Sequence, residues 1–221
     1  MIALYIFLGI IVLTILIVIA VNTKGRSASG SRTSITDRRG KQGEEYAKKY
    51  LYKHIVGSGD TLLSSLLLKT NRGRKCEVDL VLLSTKGIFC IEVKNWVGKI
   101  EGDDYSEEWK QIYDDDYLSN RTHRNPVIQN ENHCEILENL LSNRYQVNNI
   151  VLFNRIEYPS SIHSAKVFDL YSFRNHFFGL PDNVLTNGEL EKIYLVLEKY
   201  QACEEELEAY RESIKSKYSR N

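Results

Sequence analysis

Two neighbouring apolar runs that each carry charge constrain this chain more than any other feature. Gly87-Ile88-Phe89-Cys90-Ile91 leads without a break into Glu92-Val93-Lys94, and the preceding run, Val78 to Leu83, contains Asp79. Apolar runs of this length bounded by turn residues read as buried strands, here Lys75 to Ser84 and Gly87 to Lys94. An ionised side chain buried without a partner is expensive, so each of these charges needs compensation. The two-residue connection Thr85-Lys86 predicts an antiparallel hairpin, and pairing Ser84 with Gly87 sets Asp79 opposite Glu92 on one face. A bulge at Gly87 would slip the pairing by one and send the two acids to opposite faces.

Carboxylates facing each other across a strand pair repel, and one is driven towards protonation unless a cation intervenes. A divalent cation, Mg2+ or Mn2+, removes the conflict, because hard ions take one or two carboxylates together with water and phosphate oxygens. Lys94 lies two residues beyond Glu92 on the same face, about 6.6 Å along the strand, within reach of a phosphate there. It would orient or help deprotonate an attacking water, or stabilise charge building on phosphorus. Upstream, Asp37 to Ile55 has helical spacing, and Glu44 falls on its apolar stripe with Ala47, Leu51 and Ile55, so Glu44 is a candidate third ligand.

Hydrophobic residues fill 43% of the 221 positions and charged ones 26%, which supports one sizeable globular domain and argues against general disorder. Residues 2–21 carry no charge and match the length at which a helix crosses a bilayer. A cleaved signal peptide is the competing reading, but no basic segment precedes the run and no small-residue cleavage site closes it. Lys24, Arg26, Arg32, Arg38, Arg39 and Lys41 follow, so the positive-inside bias predicts a single-pass cell-membrane protein with a cytoplasmic domain. Residues 22–36, rich in Gly, Ser and basic side chains, read as a flexible linker. The 29 basic and 29 acidic residues cancel, so any nucleic-acid site must be local. Cys76, Cys90, Cys134 and Cys203 lack paired spacing and read as reduced thiols.

A first strand is expected at Thr61 to Lys69, completing a three-stranded meander. Gly98 to Gly102 is a tight segment, and Asp103 to Ser119 a polar excursion anchored by Trp109, its Asp114-Asp115-Asp116 run a solvated loop rather than a metal site. Asn125-Pro126 marks a helix start, running to about Leu141 with Gln129, His133 and Leu137 on one stripe. Further strands are expected at Asn149 to Phe153 and Ala165 to Leu170, a short aromatic helix at Tyr171 to Phe178, and one long C-terminal helix with its tail over 186–221.

Asp79 followed by Glu92-Val93-Lys94, with Glu44 upstream on a helix, resembles the motif of the PD-(D/E)xK nucleases. More specifically, Gly40-Lys41-Gln42-Gly43-Glu44, Glu77-Val78-Asp79, Gly87 to Asn95, Trp96 to Gly98 and Asn125-Pro126-Val127-Ile128-Gln129 resemble the nuclease-related domain, NERD, over about residues 40–155. The resemblance implies an α/β restriction-endonuclease-like core, a central mixed sheet flanked by helices within residues 37–185. It also implies a magnesium-dependent phosphodiesterase acting on nucleic acid, with DNA as substrate. Glu44, Asp79 and Glu92 would be the metal ligands, Lys94 the catalytic lysine and Gln129 a site-lining residue. His133 stands where related nucleases often carry a tyrosine, and is a second substrate-lining candidate. Arg72, Arg74, Lys75, Lys99, Arg121, His123 and Arg124 flank the site in sequence and suit phosphates.

Two other readings remain open. The fold would serve as a non-catalytic, membrane-tethered nucleic-acid- or protein-binding module, or the C-terminal helix would dock a partner through Leu190, Ile193, Tyr194, Leu197 and Tyr200.

Overall fold

A computed structural model of the chain describes residues 35–218 apart from 71–72, 114–118 and 158–159. The expected membrane anchor at 2–21, most of the expected linker, Arg72 and the Asp114-Asp115-Asp116 run lie outside the described residues. Among the described residues no helix is long and apolar enough to cross a membrane. The chain divides between Thr36 and Asp37 into two units, the second of which, Asp37–Asn221, holds both sheets.

Helix α1 spans Ile35–His54, so the last two residues assigned to the linker are helical. The meander follows as expected, with β1 at Thr61–Lys69, β2 at Lys75–Ser84 and β3 at Gly87–Lys94. Ser84 pairs with Gly87 and Leu80 with Ile91, so the hairpin closes without a slip. Gly87 takes φ +140°, a conformation closed to most side chains, and thereby closes the short turn without a bulge.

The chain continues through β4 (Lys99–Asp103), β5 (Glu108–Ile112), β6 (Arg121–Arg124) and α2 (Pro126–Leu140). Next come β7 (Val147–Phe153), β8 (Ser161–His163), β9 (Val167–Asp169), α3 (Leu170–Gly179), α4 (Asn187–Leu197) and α5 (Glu204–Tyr218). The main sheet is mixed, in the order β1-β2-β3-β7-β9, with β7 parallel to both β3 and β9. Its two faces are covered by different helices. Ala47 and Leu51 of α1 with Phe173 and Phe177 of α3 pack on Leu82, Phe89 and Ile91, whereas Cys134 and Leu137 of α2 with Ile193 and Leu197 of α4 pack on Val81, Ile88 and Cys90.

Three expectations fail, each for a physical reason. The excursion after Gly98 is a second sheet, β6-β5-β4-β8. Its strands are short and polar, and its anchor, the fully buried Trp109, lies so close over Gly102 that a Cβ there would meet the indole at 2.2 Å. The C-terminal segment is two helices rather than one, because Gln201 bridges Leu66 and the Ala202 N–H donates to the Ser65 carbonyl at 3.1 Å. The open edge of β1 thus captures the backbone between α4 and α5 at a place no Gly or Pro marks. On α2 the buried stripe is Val127, Asn130, Cys134 and Leu137 with His133 beside it, one position off the expected line through Gln129.

Candidate active site

The middle of β2 and the end of β3, with the first two turns of α2, bring five of the six expected side chains together. Asn125 starts α2 by accepting from Val127 N at 2.8 Å and Ile128 N at 3.4 Å, with Pro126 preorganised behind it. That start point fixes where Gln129 and His133 fall relative to β3.

Glu92 is the centre of the arrangement and is 4% exposed. Its Oε1 accepts from Lys94 Nζ at 2.5 Å and from Gln129 Nε2 at 2.7 Å. Its Oε2 is buried without a hydrogen-bond partner, and His133 Nδ1, equally unpartnered, stands 3.6 Å away. Gln129 Oε1 also lies 3.4 Å from Lys94 Nζ, closing a triangle. Burial lowers the pKa of the His133 ring against the pull of Glu92, which favours the neutral imidazole.

Asp79 sits one step beyond the last β2–β3 ladder pair, on the Glu92 side, and its Oδ2 accepts from Val93 N at 2.9 Å. The β1–β2 ladder pairs Ser64 with Leu80 and Leu66 with Val78 but skips Ser65 and Asp79, and Ser65 has φ +56°. A strained, unpaired step in the sheet therefore coincides with the site. Burial, then the charges of Glu92 and Glu44, push the Asp79 carboxyl well above the ordinary range. Burial also pulls on the Lys94 ammonium, but Glu92 and Asp79 overcome it and hold its pKa above the usual lysine value.

Glu44 stands at the edge of this group, its carboxyl raised chiefly by burial and offset by Arg211, whose Nη2 is 3.7 Å from Glu44 Oε2. Among the described residues no three His, Cys, Asp or Glu side chains converge closely enough to hold a metal ion. Gly43 is required beside Glu44, since a Cβ there would meet Asn95 Cβ at 2.5 Å and Asn154 Nδ2 at 2.9 Å. The helix is thereby pressed against the strand end that carries Lys94.

Sequence reasoning missed Glu77, Arg211 and Asn130. Arg211 donates to both oxygens of Glu77, Nη2 to Oε1 at 2.5 Å and Nε to Oε2 at 3.1 Å. Glu77 has the strand spacing to Asp79 that would have flagged it, whereas Arg211 arrives from α5 with no sequence signal. Asn130 donates to the carbonyls of Cys90 at 2.9 Å and Ile150 at 3.1 Å, pinning α2 across β3 and β7. Of the flanking basic residues, His123 on β6 stacks on Trp96 at 4.1 Å, and Lys94 Nζ lies 5.7 Å from the same indole. Arg121 and Arg124 are exposed on that strand.

The family model of the nuclease-related domain matches residues 39–154, just over half of the chain and every candidate residue except Arg211. A Bacillus anthracis protein described only as uncharacterized is similar, 24% identical over 178 residues that cover 77% of this chain and 80% of the relative. No solved structure matches.

Proposed function

The chain belongs to the nuclease-related domain family, within the PD-(D/E)xK-like nucleases, and from that premise we propose that this sheet end hydrolyses phosphodiester bonds in nucleic acid, DNA foremost. The observation that carries the reading is the Glu92–Lys94–Gln129 triangle beside Asp79, with Glu92 Oε2 buried and unpartnered. The mixed sheet with helices on both faces is consistent with a restriction-endonuclease-like core, which is part of the same proposal.

Magnesium or manganese fits the donor set. Such ions need only one or two carboxylates, and a cation would relieve both the orphaned oxygen and the burial and repulsion that raise Asp79. Asp79 and Glu92 would hold it, with Glu44 as the further candidate, and when bound it supplies charge neutralisation for the phosphoryl oxygens. Lys94, protonated at neutral pH, acts as a cation that binds a phosphate oxygen and offsets the charge developing on it. Its raised pKa favours this role over that of a base. Gln129 holds the carboxylate and the ammonium in register, and His133 stands on the far side of Glu92 as the other polar group facing substrate. Arg121 and Arg124 on the edge strand suit flanking phosphates.

The test is cleavage of linear, circular and single-stranded DNA and of RNA by the full chain, with and without magnesium. Lys94→Ala and Asp79→Asn are expected to slow cleavage by about 10²–10³-fold. Unchanged cleavage by both would falsify the site assignment. A second reading, a non-catalytic nucleic-acid- or protein-binding module, is favoured by the absence of three converging metal-type ligands among the described residues. Calorimetry separates the two, since the module would take up no magnesium.

Residues 2–21 are the proposed membrane anchor, which puts the domain on the cytoplasmic side through the basic flank that follows. Retention of the full chain in the membrane fraction after alkaline washing supports that placement, and release into the supernatant removes it.

A further inference from the structure

Helix α5 lies beyond the segment matched by the family model, yet it delivers a charge to the site. Among its described side chains only Leu207 is fully buried, at 3% exposure. Its other attachments are polar: Arg211 on Glu77, the Tyr210 hydroxyl donating to the Lys75 carbonyl, and an ion pair from Lys41 of α1 to Glu204. The Arg211–Glu77 pair is bidentate, the strongest and most directional form of this contact, so the guanidinium is fixed in place rather than drifting over the surface.

With all four ionised, as a bound divalent ion would require, the electrostatically coupled carboxylates Glu44, Glu77, Asp79 and Glu92 stand against two cations, Lys94 and Arg211. Two negative charges remain, the amount a divalent cation cancels. Without Arg211 the excess would be three. We propose that Arg211 sets the charge of the site: it is a fixed counter-cation to Glu77 and Glu44 that holds down the affinity of the carboxylates for a divalent ion. Arg211 is a positioning and charge-setting residue, not a catalytic one. The inference rests on the metal-dependent reading, and the following experiment separates the two.

Manganese binding to the full chain is titrated by electron paramagnetic resonance at neutral pH, independently of cleavage. Arg211→Gln is expected to bind manganese about tenfold more tightly and Glu77→Gln about tenfold more weakly, as a lost charge of either sign near a cation predicts. Arg211→Gln combined with Glu77→Gln restores the balance and returns to within about threefold of wild type, as does Arg211→Lys. A merely structural brace would leave affinity unchanged or weaken it in every variant, which overturns the proposal. If Arg211→Gln does not fold, Glu77→Gln alone decides, and unaltered affinity overturns it. Manganese bound by wild type and lost in Asp79→Asn, with no change in the Arg211 and Glu77 variants, sinks this inference alone. No bound manganese in any protein sinks it together with the metal-dependent reading.

Discussion

Burial and the neighbouring carboxylates push the Asp79 carboxyl well above the ordinary aspartate range, and that shift has a stability consequence. A carboxyl raised in the folded state keeps a proton that the unfolded chain has released, so stability falls as pH rises from about 4 through the folded value. In chelator, the melting temperature of the wild type is expected to drop across that window. Asp79→Asn should flatten the drop and melt higher than wild type at neutral pH, and manganese should restore the wild type, all of which calorimetry at stepped pH reads directly. Lys94 shifts in the same direction: its raised pKa keeps the ammonium charged, so the cleavage rate should show no falling limb from this residue near neutral pH. A falling limb near neutrality that disappears in Lys94→Arg contradicts the assignment.

At the scale of elements, the contact between α1 and the end of β3 is tight enough to read in a mutant. Gly43→Ala drives a methyl into Asn95 and Asn154 and is expected to cost about 1–3 kcal/mol in urea unfolding while displacing Glu44. Asn130→Ala strips a buried donor from the Cys90 and Ile150 carbonyls and should cost about 1–3 kcal/mol with the active-site side chains untouched. The strands bearing Asp79, Glu92 and Lys94 were legible as continuous apolar runs joined by a two-residue turn, whereas a one-residue slip at Gly87 stayed open until the ladder paired Ser84 with Gly87. The start of α2 was legible from Asn125-Pro126. The second sheet was not, since β5 offers only Trp109 as an apolar inward residue and its other buried position is Gln111, whose amide donates to the Val97 carbonyl at 2.6 Å. The break between α4 and α5 was hidden for a different reason: it is imposed by the edge of β1, 135 residues away in sequence, as Leu66 meets Gln201.

On the scale of the whole molecule, the two sheets share an aromatic seam. Trp109 of the second sheet stacks 6.5 Å from Phe153 of the first, and Trp96 meets Phe153 edge-on at 5.6 Å. Trp109→Ala is expected to cost about 3–5 kcal/mol in equilibrium unfolding. Its loss should also weaken nucleic-acid binding through β6, because the exposed arginines of that strand ride on the second sheet. Residues of the proposed site are spread from Glu44 on α1 to Arg211 on α5, so no fragment shorter than residues 44–211 contains them all. The order of synthesis then has a bearing on the nascent protein. Glu44, Glu77, Asp79 and Glu92 are translated first and Arg211 more than a hundred residues later, so a chain still being made carries the acids of the site before the arginine that balances them.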